Sequence, residues 1–359
     1  MPIVPLVGHA EARQRLREAA ARRTLPASLL IQGPRGVGKQ RLALWLAQLL
    51  LCEQPASGPC GACRACRFTA ELTHPDLHWY FPRPRPKDTD PDLQDIREDY
   101  GSAVRDRVEE HGLYEPPSGM EGLYVATVRA IVQQAAISPA LGTRKVFIIG
   151  DAERMASQEG SEQAANAFLK LLEEPPADTT IILTSSESGA LLPTIRSRVV
   201  SFSVGSLSDE HVREFLALDP VATRLKKRKT LPADADERLR FAAGAPGRLL
   251  AADSWGTALE IAQRMLDAAA NRRPSPRYEA AWSQASNKAR GAFSDTLDAL
   301  TEKLHGRARD AARRGEEHEA LAASRAVERV EAAKVKVIQN VSPQLITVNL
   351  IRELQELLA

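Results

Sequence analysis

The residues Gly33-Pro34-Arg35-Gly36-Val37-Gly38-Lys39-Gln40 have the types and spacing of a phosphate-binding loop. Gly33, Gly36 and Gly38 let backbone N–H groups converge on phosphate oxygens. A following helix adds positive potential at its N-terminus, and Lys39 has the reach for β- and γ-phosphates. The pattern G-x-x-x-x-G-K-[ST] ends on a hydroxyl that ligates Mg²⁺, whereas Gln40 offers an amide on a longer arm. Nucleotide binding is compatible with this loop, but hydrolysis lacks one of its parts. A glycine-rich turn that only packs a helix on a sheet is the alternative. A working ATPase of this type also carries two acids at the end of a later strand. Here that stretch reads Ile148-Ile149-Gly150-Asp151-Ala152-Glu153. The two acids become Gly150 and Asp151 in one register, Asp151 and Ala152 in the other, so neither provides an adjacent Asp-Glu pair. Asp151 and Glu153 are therefore expected to be solvated loop and helix-capping residues.

All four cysteines, Cys52, Cys60, Cys63 and Cys66, lie within fifteen residues, and two of the gaps are C-x2-C. Such turns bring thiolates within coordination distance of one ion, so a closed, structural, tetrahedral Zn²⁺ site is expected over a redox dithiol, an iron–sulfur cluster or scattered structural cysteines. A third group, Thr194-Ile195-Arg196-Ser197-Arg198, carries two arginines at i and i+2. These are either a solvated edge or an arginine finger presented to a neighbouring subunit's γ-phosphate, and spacing does not choose. The run Arg224, Lys226, Lys227, Arg228, Lys229 is expected to be a solvated linker more than a DNA contact.

The elements that must position these residues alternate between strand and helix. Ser28–Gln32 is a short apolar run entering the glycine-rich turn, and the breaker-free stretch from Gln40 to Leu51 predicts a helix. A helical segment with Val128, Ile131, Val132 and Ala135 on one face feeds a second strand, Lys145–Ile149. A helix over Ser161–Glu174 is stopped by Pro175-Pro176 before a third strand, Thr180–Thr184. This order predicts helices packed on a mostly parallel sheet. Residues 82–121 break the pattern with six prolines and 6 Lys/Arg against 11 Asp/Glu, a net −5, and are expected to be a partly disordered surface insertion. Beyond Ser203 no strand is expected. Leu207–Leu218 and Pro232–Ala252 predict a small helical domain, and the Ala-rich remainder ends in an amphipathic helix over Leu345–Leu358 with a partner face.

Composition bounds the rest. Of 359 residues, 43% are hydrophobic and 26% charged, which suits a globular protein of two or three domains. Lys+Arg 48 against Asp+Glu 46 leaves +2, so no global field steers the chain onto nucleic acid. The longest apolar stretch, Leu42–Cys52, is interrupted by Gln48 and too short to span a bilayer, and Met1-Pro2-Ile3-Val4 lacks a basic leader region. A cytoplasmic protein with no membrane partner is expected.

Taken in order, the phosphate loop, the cysteine module, Lys145–Met155, Ala165-Asn-Ala-Phe-Leu-Lys-Leu-Leu-Glu-Glu-Pro-Pro176 and Thr194–Arg198 resemble bacterial DNA polymerase III clamp-loader subunits of the AAA+ class. The resemblance covers about residues 3–250 and is weaker beyond 255, where Asn340–Ile346 is similar to the start of the family's last collar helix. Motor subunits of that family keep an intact loop and an Asp-Glu pair. In the delta-prime type these are often degraded, and Gln40 with Ala152-Glu153-Arg154-Met155 is similar to it. The resemblance implies an α/β AAA+ domain with a zinc module at 52–66 and an insertion at 82–121 (residues 1–205), a helical lid (206–253) and an all-α collar domain (254–359). It further implies a member of a five-subunit hetero-oligomeric ring with motor subunits and a delta subunit. That ring opens the sliding clamp and places it on primer-template DNA at the replication machinery of the nucleoid. The chain itself would be an accessory subunit of a DNA-directed DNA polymerase holoenzyme without ATPase activity of its own. Gly33, Gly36, Gly38 and Lys39 would form a residual nucleotide loop, Cys52, Cys60, Cys63 and Cys66 would hold Zn²⁺, and ATP is a possible second cofactor. Arg198, matching the family's Ser-Arg motif, would be a finger acting in trans. Val199 departs from the usual cysteine, and Gly247 stands where motor subunits tend to carry a nucleotide-sensing arginine, with Arg248 one residue late. Two other readings stay open: an ATP-hydrolysing motor subunit, and a zinc-containing DNA-binding protein.

Overall fold

A computed structural model describes residues 3–86, 88, 91–115, 121–155, 162–228, 231–232, 234–271, 273–284, 290–338 and 341–358. The chain forms two units, Met1–Pro117 with Glu121–Leu250, and a second over Ala251–Ala359.

In the first unit the strands are β1 (Ser28–Gln32), β2 (Leu77–Tyr80), β3 (Lys145–Ile149), β4 (Thr179–Ser185) and β5 (Val200–Ser203). Its helices are α1 (Ala10–Ala21), α2 (Lys39–Leu51), α3 (Arg64–Ala70), α4 (Leu93–Glu109), α5 (Val125–Ala135), α6 (Glu162–Glu173), α7 (Pro193–Arg196), α8 (Asp209–Leu216), α9 (Asp219–Lys226), α10 (Ala235–Ala242) and α11 (Gly247–Leu250). The sheet is wholly parallel, in the order β2-β3-β4-β1-β5, and β1 pairs through Leu29 with both Ile182 and Val200. Ile31, Val146, Ile148, Ile149, Ile181 and Ile182 are completely buried, as strands covered on both faces require. The expected fold class, helices on a parallel sheet, is what forms. The loops after β1, β3 and β4 meet at the C-terminal edge of the sheet, the place where such folds bind ligands.

Four elements, β2, β5, α4 and α9, differ from expectation. The strands β2 and β5 are edge strands of four residues each, and β5 reads Val-Ser-Phe-Ser with little burial, so neither carries the apolar run that betrays a central strand. The segment 82–121, expected to be a partly disordered surface insertion, contributes to the core among its described residues. It holds α4, capped by the Asp92 carboxylate on Asp95 N–H at 2.9 Å, and Ile96, Tyr100 and Ala103 recur on one face and join the core. Arg224 and Lys226, expected in a linker, lie on α9. Ser161, Lys229 and Asn340 lie outside the described residues, as do 87, 89–90 and 116–120 of the insertion.

The second unit contains α12 (Ala252–Ala270), α13 (Ser275–Trp282), α14 (Arg290–Arg314), α15 (Glu317–Ile338) and α16 (Pro343–Leu358), with no strand among its described residues. Leu297, Leu300, Leu304, Ile351 and Leu354 are fully buried, so the expected partner face of the last helix is used inside this unit against α12, α13 and α15. No helix among the described residues is long and apolar enough to cross a membrane.

Candidate nucleotide pocket and cysteine centre

The glycine-rich loop stands between β1 and α2, as its spacing requires. Gly33 is obligatory on steric grounds, since a Cβ there would lie 2.2 Å from the Val204 carbonyl oxygen. Lys39 opens α2 and folds back. Its Nζ donates to the carbonyls of Gly33 (3.0 Å) and Pro34 (2.9 Å) and to Ser186 Oγ (2.9 Å). Gln40 turns toward β3. Its Nε2 donates to Asp151 Oδ2 at 2.9 Å and its Oε1 accepts from Trp79 Nε1 at 3.0 Å. The amide fits because residue 150 is glycine: a Cβ there would sit 2.5 Å from Gln40 Oε1. Asp151 is thus not a solvated loop residue. Its carboxylate is held by Gln40, and its own N–H donates to Thr184 Oγ1 at 3.2 Å. Glu153 also departs from expectation. Its Oε1 accepts from Ser186 N–H at 3.0 Å while its Oε2 is shielded from solvent without a partner. Burial, with the Asp151 and Glu187 carboxylates nearby, pushes its acid up to about 7.

Around these residues lies a cavity of about 150 Å³. That is below the roughly 300–1,000 Å³ of ordinary ligand sites. Its polar lining includes Arg35, Lys39, Arg154, Asp151 and Glu153, with Arg35 already paired to Glu187 at 3.3 Å. Its apolar end is closed by Val4, Leu6, Val7, Leu113, Tyr114, Phe215 and Leu250. The segment that carries Gly247 touches the loop directly, Gly247 N–H donating to the Gly36 carbonyl at 2.9 Å. Glycine is needed on both sides of that approach, because a Cβ on Gly247 would lie 2.7 Å from Gly36 Cα. Behind Tyr114 the Arg107 guanidinium stacks 3.7 Å from its ring and 3.2 Å from that of Phe81, and burial lowers its pKa to about 10. Trp79, Gly150 and Tyr114 were not legible as site residues. The one available signal was that Gln40 needs a partner for each end of its amide.

The four cysteines come together, every sulfur within 4.8 Å of the others. Tetrahedral zinc with Zn–S bonds of about 2.3 Å sets sulfurs about 3.8 Å apart. Cys60 and Cys66 Sγ stand at 3.9 Å. Backbone N–H groups of Cys60, Cys63 and Cys66 donate to the sulfurs of Cys52, Cys60 and Cys63 at 3.3–3.4 Å, which favours thiolates. The Cys60 thiol is lowered to about 6 by such backbone bonds, whereas burial pushes Cys52 and Cys66 up. The donor set fits a zinc-type ion.

Arg198 follows α7 and is not a bare solvated edge. Its guanidinium pairs with Glu173 at the end of α6 (2.5 Å) and donates to Thr194 O at 2.8 Å. In the basic run, Arg224 pairs with Glu110 and Arg228 with Glu115, both acids belonging to the segment 82–121.

A family model described as DNA polymerase III, delta subunit, matches residues 8–208. The DNA polymerase III subunit delta' of Pseudomonas aeruginosa is 37% identical over 172 residues, 48% of this chain and 40% of that protein. The DNA polymerase III subunit delta' of Escherichia coli (strain K12) is 30% identical over 233 residues, 64% of this chain and 55% of that protein. The DNA polymerase III subunit tau of Salmonella typhimurium is 27% identical over 247 residues, 66% and 31% of the two chains. The chain spans about half the length of the first two relatives.

Proposed function

The chain belongs to the DNA polymerase III delta-subunit family, and from that premise we propose that it is the delta-prime-like subunit of a clamp loader that helps place the sliding clamp on primed DNA. In this reading it does not turn over ATP itself. The observation that carries it is the bond between Gln40 Nε2 and Asp151 Oδ2. The side chain that replaces the metal-ligating hydroxyl satisfies the acid that would have held the metal's water, so two parts of a hydrolytic site neutralise each other. Lys39, held by two loop carbonyls and Ser186, keeps the loop's shape. Residues 206–253 act as a lid and residues 254–359 as the collar that joins the subunit to motor and delta subunits in a five-membered ring. Arg198 leaves Glu173 to face the γ-phosphate held by the adjacent motor subunit, where a guanidinium stabilises transition-state charge. The four thiolates hold Zn²⁺, which cross-links an excursion too small to bury its own core.

The test is ATP turnover by the chain alone and by the reconstituted complex. The isolated chain is expected at background. Arg198→Ala is expected to lower turnover at the shared site about a thousandfold or more, with the assembled complex intact by gel filtration. Steady turnover by the isolated chain, abolished in Lys39→Ala, establishes instead the motor reading to which the likeness to the tau subunit points.

A further inference from the structure

The acidic segment 82–121 ends in a stretch that touches three parts of the first unit at once. Glu110, just past α4, pairs with Arg224 on α9, and Glu115 pairs with Arg228 just beyond it. Between the two pairs the chain turns sharply through His111 and Gly112, both at positive φ (56° and 74°). The His111 carbonyl accepts from Val4 N–H at 2.8 Å, which ties the stretch to the N-terminal segment. The turn delivers Leu113, 3% exposed, and Tyr114 into the apolar end of the phosphate-loop cavity. Two ion pairs therefore straddle residues that wall the cavity, and their partners lie on the helical segment whose Gly247 rests on Gly36. Both acids are half exposed, so each pair is individually weak, and salt weakens it further.

We propose that residues 110–115 are a latch that shuts the helices α8 to α11 onto the phosphate loop and occupies the base end of the pocket, so that a nucleoside triphosphate enters only when the latch is released. The proposal rests on the reading of this cavity as a residual nucleotide pocket. It assigns nucleotide exclusion to an occupant carried by the chain itself, separately from the loss of hydrolytic groups. A closed fraction that dominates lowers apparent affinity in proportion, and release restores it.

The experiment titrates N-methylanthraniloyl-ATP, with EDTA present, into the full-length chain. It compares the wild type, the release variant Arg224→Glu/Arg228→Glu, and that variant with Glu110→Arg/Glu115→Arg added to restore both pairs with signs exchanged. The release variant is expected to bind about tenfold tighter or more, the restored variant to return to wild-type affinity, and Lys39→Ala to remove the gain. Amide exchange at Leu113 and Phe215 is expected to speed up on release and recover on restoration. Equal affinity in all three chains overturns the latch, whether or not exchange changes, and so does a gain that survives Lys39→Ala. Those failures leave the accessory-subunit reading standing, whereas ATP hydrolysis by the wild-type chain overturns that reading whatever the latch does.

Discussion

At Gly150 and Gln40 the pocket depends on a fit between one missing Cβ and one amide. Gly150→Ala is expected to push the amide off Asp151 and cost about 1–3 kcal/mol. Adding Gln40→Ala should return part of that loss, and a double-mutant cycle by urea denaturation reads the coupling. Glu153 supplies a pH signature. Its folded-state acid, up near 7, lies above the ordinary 4.5, so the folded chain holds the extra proton between those values. Stability at this site is therefore full below about 4.5 and falls as pH rises toward 7. Glu153→Gln is expected to flatten this stretch of the stability profile and to gain up to about 3 kcal/mol at neutral pH. A denaturation series at several pH values checks it, and a variant that keeps the wild-type slope contradicts it.

Among the elements, β1, β3 and β4 were legible because each is a short apolar run buried on both faces, α5 because its apolar positions recur at helical spacing, α2 because its stretch has helix formers and no breaker, and α6 because two prolines stop it. β2 was not, since Leu77 and His78 are only half buried at a sheet edge, and its role in the site comes from a single indole N–H. α4 was hidden by its composition: prolines before and after it and a net-acidic stretch outweighed the three core residues Ile96, Tyr100 and Ala103. The loop and the cysteine module could be read because both are local, whereas Leu113, Tyr114 and the partners of Gln40 arrive from distant segments that no spacing connects. On the zinc reading, the excursion around α3 would depend on its sulfurs. Removal of bound metal with a strong chelator is expected to unravel the module and expose Phe68 and Thr69 to solvent, lowering the melting temperature by several degrees. Unchanged amide exchange across 52–70 after chelation would argue for a module that stands without metal.

For the molecule as a whole, a net charge of +2 and the pairing of Arg224 and Arg228 with acids of the same unit leave little field for nucleic acid. The isolated chain is expected to bind primed duplex DNA weakly, with a shallow salt dependence, and Arg224→Ser/Arg228→Ser to change that affinity by less than about threefold. A steep salt slope removed by those substitutions would favour the DNA-binding reading. The interlock at the head of α2 also bears on turnover. A hydroxyl restored at position 40 would meet a gap beside Gly150, an indole without its acceptor and a lone Asp151 still missing its neighbouring acid. If the site is inactive as proposed, turnover there would need several coordinated substitutions and not the hydroxyl alone. On the accessory-subunit reading proposed above, a chain built this way would depend on a neighbour for the reaction.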